Sequence, residues 1–269
     1  MQSNGVCGAR MDDAQRDEAA RLIKGARRLV VFTGAGMSAD SGISTFRKAG
    51  ASGLWSGLKG TLGLAFFGTP IGWKLTPGLA WSMYCKEFYG PIADAQPHVG
   101  HEALARLEQA RTGQMEMTVI TMNVDGFHSR AGNTNCVEVH GTVERIICYE
   151  HGAFPMPKGP DINPKKVRCP TCGARVRPDV VLFTESLPPD EWSRASAAVR
   201  SLQQGDVMLV IGTTGGVYPA AGLPERALRA GVSVIEVNKD PSPISAHVDV
   251  YIEGRAAEII PSLVDAALT

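Results

Sequence analysis

The sequence predicts an α/β protein built on a doubly wound parallel sheet, with a smaller second lobe that carries a metal. Three observations point there. Short apolar runs rich in β-branched residues recur at 28–33 (RLVVFT), 117–121 (MTVIT), 207–211 (VMLVI) and 232–237 (VSVIEV). Helical patterns separate them, at 100–109, 191–203 and 220–230. Two stretches, 48–98 and 142–180, break the alternation, and the second holds four candidate metal ligands.

Taken in order, residues 12–27 read as a helix, because Ala19, Leu22, Ile23 and Ala26 recur at helical spacing. The run 28–33 then reads as a strand buried on both faces, since it is apolar without alternation. Gly34-Ala35-Gly36 follows at once. Strand, glycine turn, helix is the opening of a doubly wound, Rossmann-like sheet, in which ligands gather at the carboxyl ends of the strands. The later runs each precede a polar or glycine-rich turn, and helices between parallel strands cover both faces. The expected organisation is a large lobe from 12–47, 99–141 and 181–269, and a small lobe from 48–98 and 142–180.

Composition narrows the functional classes. The 269 residues are 44% apolar and 20% charged, with 27 basic and 27 acidic side chains. That balance argues against a protein held to nucleic acid by a broad basic face. The most apolar stretch, 61–73, is short and broken by glycine and proline, so no membrane span is expected. The first twenty residues lack a charged-then-apolar leader pattern, and the expected location is cytoplasmic.

Six cysteines stand at 7, 85, 136, 148, 169 and 172. In a reducing compartment close pairs suggest metal or redox chemistry rather than disulfides. Cys148-x-x-His151 and Cys169-x-x-Cys172 supply three thiolates and one imidazole, a set suited to a closed tetrahedral zinc site. Gly152 and Gly173 follow each pair and permit tight knuckle turns. Cys7, Cys85 and Cys136 read as ordinary thiols.

The glycine turn can bring backbone N–H groups close to a phosphate, with Arg47 adding a charged contact. Its spacing is not that of the common dinucleotide fingerprint. The whole string 34–47 (GAGMSADSGISTFR) instead resembles the sirtuin signature GAG-x-S-x-x-S-GI-x-x-FR. Further strings follow in the family's order: 121–132 (TMNVDGFHSRAG), 137–142 (VEVHGT), 212–220 with GTT and VYPA, Asn238, and 253–256 (EGRA). The resemblance runs from about residue 26 to residue 262.

The resemblance implies an NAD-dependent protein-lysine deacylase, with NAD consumed as co-substrate, zinc bound, and acyl-lysine proteins or peptides as partners. No membrane and no sequence-specific nucleic acid are expected. It implies that Gly34, Ala35, Gly36, Ser38, Ile43, Phe46, Arg47, Met122, Asn123, Val124, Asp125, Gly212, Thr213, Thr214, Asn238 and Ala256 face NAD. His140 takes the place of the catalytic base, with Asn123 and Asp125 around the nicotinamide pocket. A histidine beside a glycine, taken alone, is more often structural, and Asn and Asp also suit a plain turn. Met122 stands where the family has a glutamine, and a thioether is only a weak acceptor. His151 stands where the family has a fourth cysteine.

Substrate contacts are expected from 180–185 (VVLFTE), which resembles the family's V-x-F-G-E. Val181, Phe183, Thr184 and Val217 would flank the peptide as an added strand; Thr184 replaces the usual glycine. Residues 42–47 and 53–55 look most like the bacterial and mitochondrial subgroup that removes acidic acyl groups by a Tyr-x-x-Arg pair. Here Tyr84 aligns with that tyrosine and Glu87 with the arginine; a register through Tyr89 puts Ile92 there instead. Neither offers an arginine, so neutral acyl groups are the expectation. Transfer of ADP-ribose to protein, or a non-catalytic NAD-sensing scaffold, are the alternatives; retention of Asn123, Asp125 and His140 favours deacylation.

Overall fold

The structure, a computed structural model, describes residues 13–43, 68–157 and 166–269; the side chain of Glu87 is also outside what it describes. Phe46, Arg47 and the segment 53–55 therefore lie outside the described residues. Helix α1 (Asp13–Gly25) leads into β1 (Arg28–Thr33), a one-turn α2 (Ala35–Ser38) and a 3-10 turn, Ala39–Ser41. After the undescribed stretch come α3 (Pro70–Leu75), α4 (Pro77–Tyr84), a π turn (Cys85–Tyr89), α5 (Gly90–Asp94) and α6 (Val99–Ala110). Then follow β2 (Glu116–Thr121), α7 (Phe127–Ala131), β3 (Cys136–Glu138), β4 (Gly141–Cys148), β5 (Gly152–Pro155) and β6 (Arg177–Val180). The chain closes with α8 (Pro189–Ser201), β7 (Val207–Ile211), α9 (Gly222–Arg229), β8 (Ser233–Asn238), β9 (Val250–Glu253) and α10 (Ala256–Leu268).

Among the described residues the strands form two sheets. The larger is parallel throughout, in the order β3-β2-β1-β7-β8-β9. Side chains alternate across it as the pleat requires. Leu29 and Val31 join one apolar layer with Val207, Leu209 and Ile211, under α1, α6 and α10. Val30 and Phe32 join the other with Met208 and Val210, under α8 and α9. Burial on both faces is why these strands are apolar along their length. The chain winds outward in both directions from β1 and β7, so the crevice at their carboxyl ends is the switch point where such sheets bind ligands.

The smaller sheet is antiparallel, in the order β5-β4-β6. Its core joins Val143, Ile146 and Val180 to Trp73, Trp81 and Tyr84 from the short helices. The expected strands at 28–33 and 207–211 match β1 and β7, and the expected helices lie within a few residues of α1, α6, α8 and α9. Region 68–98, which shows no clean period, folds into short helices. Prolines open three of them, at Pro70, Pro77 and Pro91, where a missing N–H costs nothing. Thr69 caps the first by accepting from Gly72 N at 3.3 Å.

Candidate active site

The glycine turn sits against the end of β7 with no side chain between. Gly34 N donates to Ile211 O at 3.0 Å and Gly36 N to Gly212 O at 2.8 Å. A Cβ on Gly36 would lie 2.6 Å from Gly212 Cα, so the approach requires glycine. This brings Gly34, Ala35 and Gly36 beside Gly212 and Thr213.

Asn123 and Asp125 come from the turn after β2 and meet Ser38 at the end of α2. Asn123 Nδ2 donates to Gly34 O and to Ser38 Oγ, both at 3.0 Å. Ser38 Oγ donates to Asp125 Oδ2 at 2.6 Å, and Phe127 N donates to Oδ1 at 2.9 Å. All three polar side chains are buried. Burial raises the Asp125 carboxyl above its ordinary value, against the opposing pull of Ser38 and Phe127 N. The cluster is thus a dry, hydrogen-bonded floor at the switch point.

His140 stands between the two sheets, one residue before β4 begins. Its Nδ1 lies 2.9 Å from Met122 O, and Met122 N donates to Thr33 O at 3.0 Å. A carbonyl can only accept, so Nδ1 carries the proton and Nε2 keeps its lone pair. Burial lowers the His140 pKa, while the Met122 carbonyl raises it. A neutral ring with a free Nε2 can act as a base near neutral pH. His140 O also accepts from Val181 N at 2.8 Å, which ties the expected substrate segment to the histidine. Farther along, Phe183 N donates to Gly68 O at 2.8 Å. Thr184 is exposed in the left-handed region at φ 76°, a conformation that favours glycine. Val217 and Tyr218 are exposed.

Asn238 closes β8 and donates to Thr213 O at 2.7 Å. Thr214 is exposed, Ala256 is buried at the start of α10, and Val124 O receives Val143 N at 2.8 Å. Ile43 packs against the smaller core. Tyr84 is buried in an aromatic group with Trp73, Trp81 and Phe88, ring centroids 5.8–6.1 Å away, and its hydroxyl has no partner. Ile92 is buried in the same core.

The four candidate metal ligands converge. Cys148 Sγ lies 3.8 Å from Cys172 Sγ and from His151 Nδ1, and Cys169 Sγ lies 3.8 Å from His151 Nδ1. A zinc tetrahedron with Zn–S bonds of about 2.3 Å has edges of about 3.8 Å. The donor set and its spacing fit a closed structural zinc site, with His151 presenting Nδ1.

Several residues at the site escape a reading of the sequence. Asp40 accepts from the Arg255 guanidinium and from Ala257 N at 3.2 Å, joining the end of the glycine turn to α10. His98 caps α6, accepting from Gly100 N at 2.9 Å, and its Nε2 lies 2.5 Å from Met37 O. His101 and His128 are buried beside it. Lone histidines carry no periodic signal; the His98-x-x-His101 spacing across a helix start is the one available hint.

Sheet order, glycine turn and buried polar floor together define a nucleotide-binding protein of the doubly wound class. The comparisons make this specific. The sequence model of the Sir2 family matches residues 34–219, and the chain belongs to that family. It is 43% identical over 246 residues to NAD-dependent protein deacylase 2 of Pyrobaculum aerophilum, covering 91% of this chain and 93% of that one. It is 38% identical to the NAD-dependent protein deacylase of Pyrococcus furiosus, over 92% of this chain and 96% of that one. Among solved structures, a Sir2 homolog–NAD complex superposes with a TM-score of 0.79 at 34% identity, covering 97% of both chains. A Sir2–p53 peptide–NAD+ complex superposes at 0.73 and 27% identity, over 92% of this chain and 96% of that one.

Proposed function

We propose that this chain is an NAD-dependent protein-lysine deacylase in which His140 is the base. The observation that carries the assignment of the base is the His140 ring itself: neutral, with Nδ1 held by Met122 O and Nε2 free, one residue from the Asn123–Ser38–Asp125 floor. In the reaction the acyl-lysine carbonyl oxygen attacks the nicotinamide ribose and nicotinamide leaves. His140 then takes a proton from a ribose hydroxyl as that oxygen attacks the resulting imidate carbon. Water then adds to that carbon, the bond from carbon to the lysine nitrogen breaks as the nitrogen takes a proton, and the acyl group departs as an ester of ADP-ribose. Asn123 and Asp125 hold the nicotinamide side, and Gly34, Gly36, Gly212 and Asn238 the rest of NAD. Zinc, held by Cys148, His151, Cys169 and Cys172, leaves no position open for water and is structural.

The two sheets correspond to two lobes, 12–47, 99–141 and 181–269 against 48–98 and 142–180, with peptide and NAD meeting between them. Val181 and Phe183 on one side, and Val217 on the other, flank the peptide. Neutral acyl groups are preferred. A buried carboxylate without a cationic partner is costly, and neither Glu87 nor Ile92 supplies the forked, charge-assisted pair an arginine would. The apolar company of Tyr84 favours the same choice. The test is to incubate the protein with NAD and one peptide carrying acetyl, longer neutral, succinyl, malonyl or glutaryl lysine. Nicotinamide and deacylated peptide are expected, fastest with a neutral group. Higher catalytic efficiency on succinyl-lysine would overturn the acyl preference, and no turnover on any would overturn the activity.

A further inference from the structure

The segment that flanks the peptide, 181–184, is held in place by one buried arginine. Arg177 opens β6 and stands opposite Ile147 of β4, whose next residue is the metal ligand Cys148. The residue before it is fixed as well, because Trp81 Nε1 donates to Val176 O at 3.0 Å. All three guanidinium nitrogens of Arg177 find acceptors, and they find them in different directions. Nε donates to the Tyr149 hydroxyl at 3.2 Å, between the ligands Cys148 and His151. Nη1 donates to Pro178 O at 3.1 Å and to Val180 O at 2.9 Å. Nη2 donates to Glu185 Oε1 at 2.8 Å and to Oε2 at 3.1 Å. A lysine has three donors on one atom and cannot reproduce that fork.

Glu185 passes this anchorage on to the turn 182–185. Its Oε2 also accepts from Leu182 N at 3.0 Å, and Glu185 N donates to Leu182 O at 3.0 Å. The two ends of the turn are thus joined twice, once by backbone and once by a side chain that Arg177 itself holds. Phe183 and Thr184 project from it, both exposed. Thr184, at the third position, has φ 76°. A positive φ there is the mark of a type II turn, which calls for glycine or asparagine. A type I turn would make the same backbone bond with threonine at ease. The backbone bond alone therefore does not account for the conformation of Thr184. Strain of this kind persists only where the surroundings over-determine it. The surroundings here are the Arg177–Glu185 pair, with Phe183 N on Gly68 O at 2.8 Å.

We infer that Arg177 and Glu185 are positioning residues for the acyl-lysine peptide, holding Thr184 in the left-handed conformation against its own preference and so keeping the edge 181–184 in the shape the peptide must match. Neither residue touches the reacting atoms. Their bonds run to residues 149, 178, 180 and 182, away from the glycine turn and the Asn123–Ser38–Asp125 floor. Losing the pair should therefore weaken the peptide and leave NAD alone. Glu185→Gln puts an amide N–H₂ against either Arg177 Nη2 or Leu182 N, donor against donor. Arg177→Lys keeps the charge and loses the fork.

This inference rests on the deacylase reading and deepens it. KM for an acetyl-lysine peptide, KM for NAD and kcat are measured in both variants, with amide exchange followed by NMR. Peptide KM is expected to rise about fivefold, the low end of the roughly five- to thirtyfold that one strained left-handed residue represents. KM for NAD and kcat at saturating peptide should stay within about twofold of wild type, the signature of lost binding rather than lost chemistry. The Leu182 amide should exchange faster in both variants, while Val181, bonded to His140 O, stays protected. Rescue is the sharper readout. Thr184→Gly added to Glu185→Gln should return peptide KM to within about twofold of wild type, because glycine adopts the left-handed region without help. An unchanged peptide KM in both variants would overturn the inference. An equal rise in KM for NAD would also overturn it, by assigning the effect to the fold. Failure of the glycine to restore peptide KM would refute the hold on Thr184. Wild-type protein that turns over no acyl-lysine peptide would instead overturn the deacylase reading, and the Leu182 amide would still report on the pair.

Discussion

The two sheets bury their faces by different means. The parallel sheet is covered by helices on both sides, and β7 is buried at every residue. It holds itself by hydrophobic burial, and its polar groups are concentrated at one end, where the site is. Among the described residues the antiparallel sheet has no such cover: β5 is mostly exposed, and β4 alternates toward its end. Its core leans on an aromatic group from the short helices at one side and on the cysteine–histidine knot at the other. A thin sheet of three strands needs that outside support. The lesson is that one lobe is set by area and the other by a few specific contacts, and they should fail differently.

Removal of zinc is expected to have the largest effect. Structural zinc supplies on the order of 10 kcal/mol in small domains. A strong chelator should therefore unfold the smaller sheet first and abolish activity, while the parallel sheet keeps its secondary structure. Hydrogen exchange resolved by segment checks this; uniform loss of protection across both sheets would break the contrast.

Acid should find the opposite lobe. Burial pushes His101 to about 2 and His128 to about 4, from an ordinary value of 6.5. Depressed values mean that the unfolded chain takes up protons before the folded one does. Stability from both groups is present above pH 6.5 and is lost as pH falls toward 4, with His101 continuing toward 2. At about 1.4 kcal/mol per unit for each buried group, the loss by pH 4 is on the order of several kcal/mol. Melting temperatures between pH 7 and pH 4 measure it, and a flat profile would count against the buried histidine pair.

His140 belongs to the junction of the two sheets, so its loss should touch chemistry and spare both cores. His140→Ala is expected to lower turnover by roughly two to four powers of ten, with the melting temperature close to wild type. A folded variant keeping a tenth of the activity would remove His140 from its role.

Thr184 gives the smallest expected change. A β-branched residue in the left-handed region costs about 1–2 kcal/mol, partly returned by the lower entropy of the unfolded chain relative to glycine. Thr184→Gly should raise the melting temperature by about 2 °C and alter KM for the peptide more than KM for NAD. Equal change in both constants would place Thr184 outside the peptide cleft.

How much of this was legible follows from the same contrast. Buried parallel strands announce themselves as unbroken apolar runs, so 28–33 and 207–211 coincide with β1 and β7. Strand β3 has three residues, Cys136–Glu138, too few to show any period. The helices at Pro70 and Pro77 lack a repeating apolar face, yet each has a threonine followed by proline, which is a start signal in its own right. In the site, residues with chemistry at fixed spacing were visible: the cysteine pairs, Asn123 with Asp125, and the glycine turn. Residues that matter through contacts far along the chain were not. Thr33 reads as the last letter of a strand, and Glu108 as one more charge on a helix; only the fold puts Thr33 Oγ1 3.1 Å from His128 Nε2 and brings Asn133 Nδ2 to Glu108 at 2.7 Å.

The bond between Asp40 and Arg255 spans 215 residues, and it sets an order of events during synthesis. The glycine turn leaves the ribosome well ahead of the partners of its flanking carboxylate, Arg255 and the backbone N–H of Ala257, which follow more than 200 residues later. The proposed NAD contacts are spread over the same interval, from Gly34 to Ala256. A nascent chain therefore carries an early half of the pocket with nothing to close it. Whatever stabilisation the dinucleotide gives is collected only after α10 has been made. Cellular NAD would then protect finished molecules from proteolysis while leaving prematurely terminated ones exposed to it.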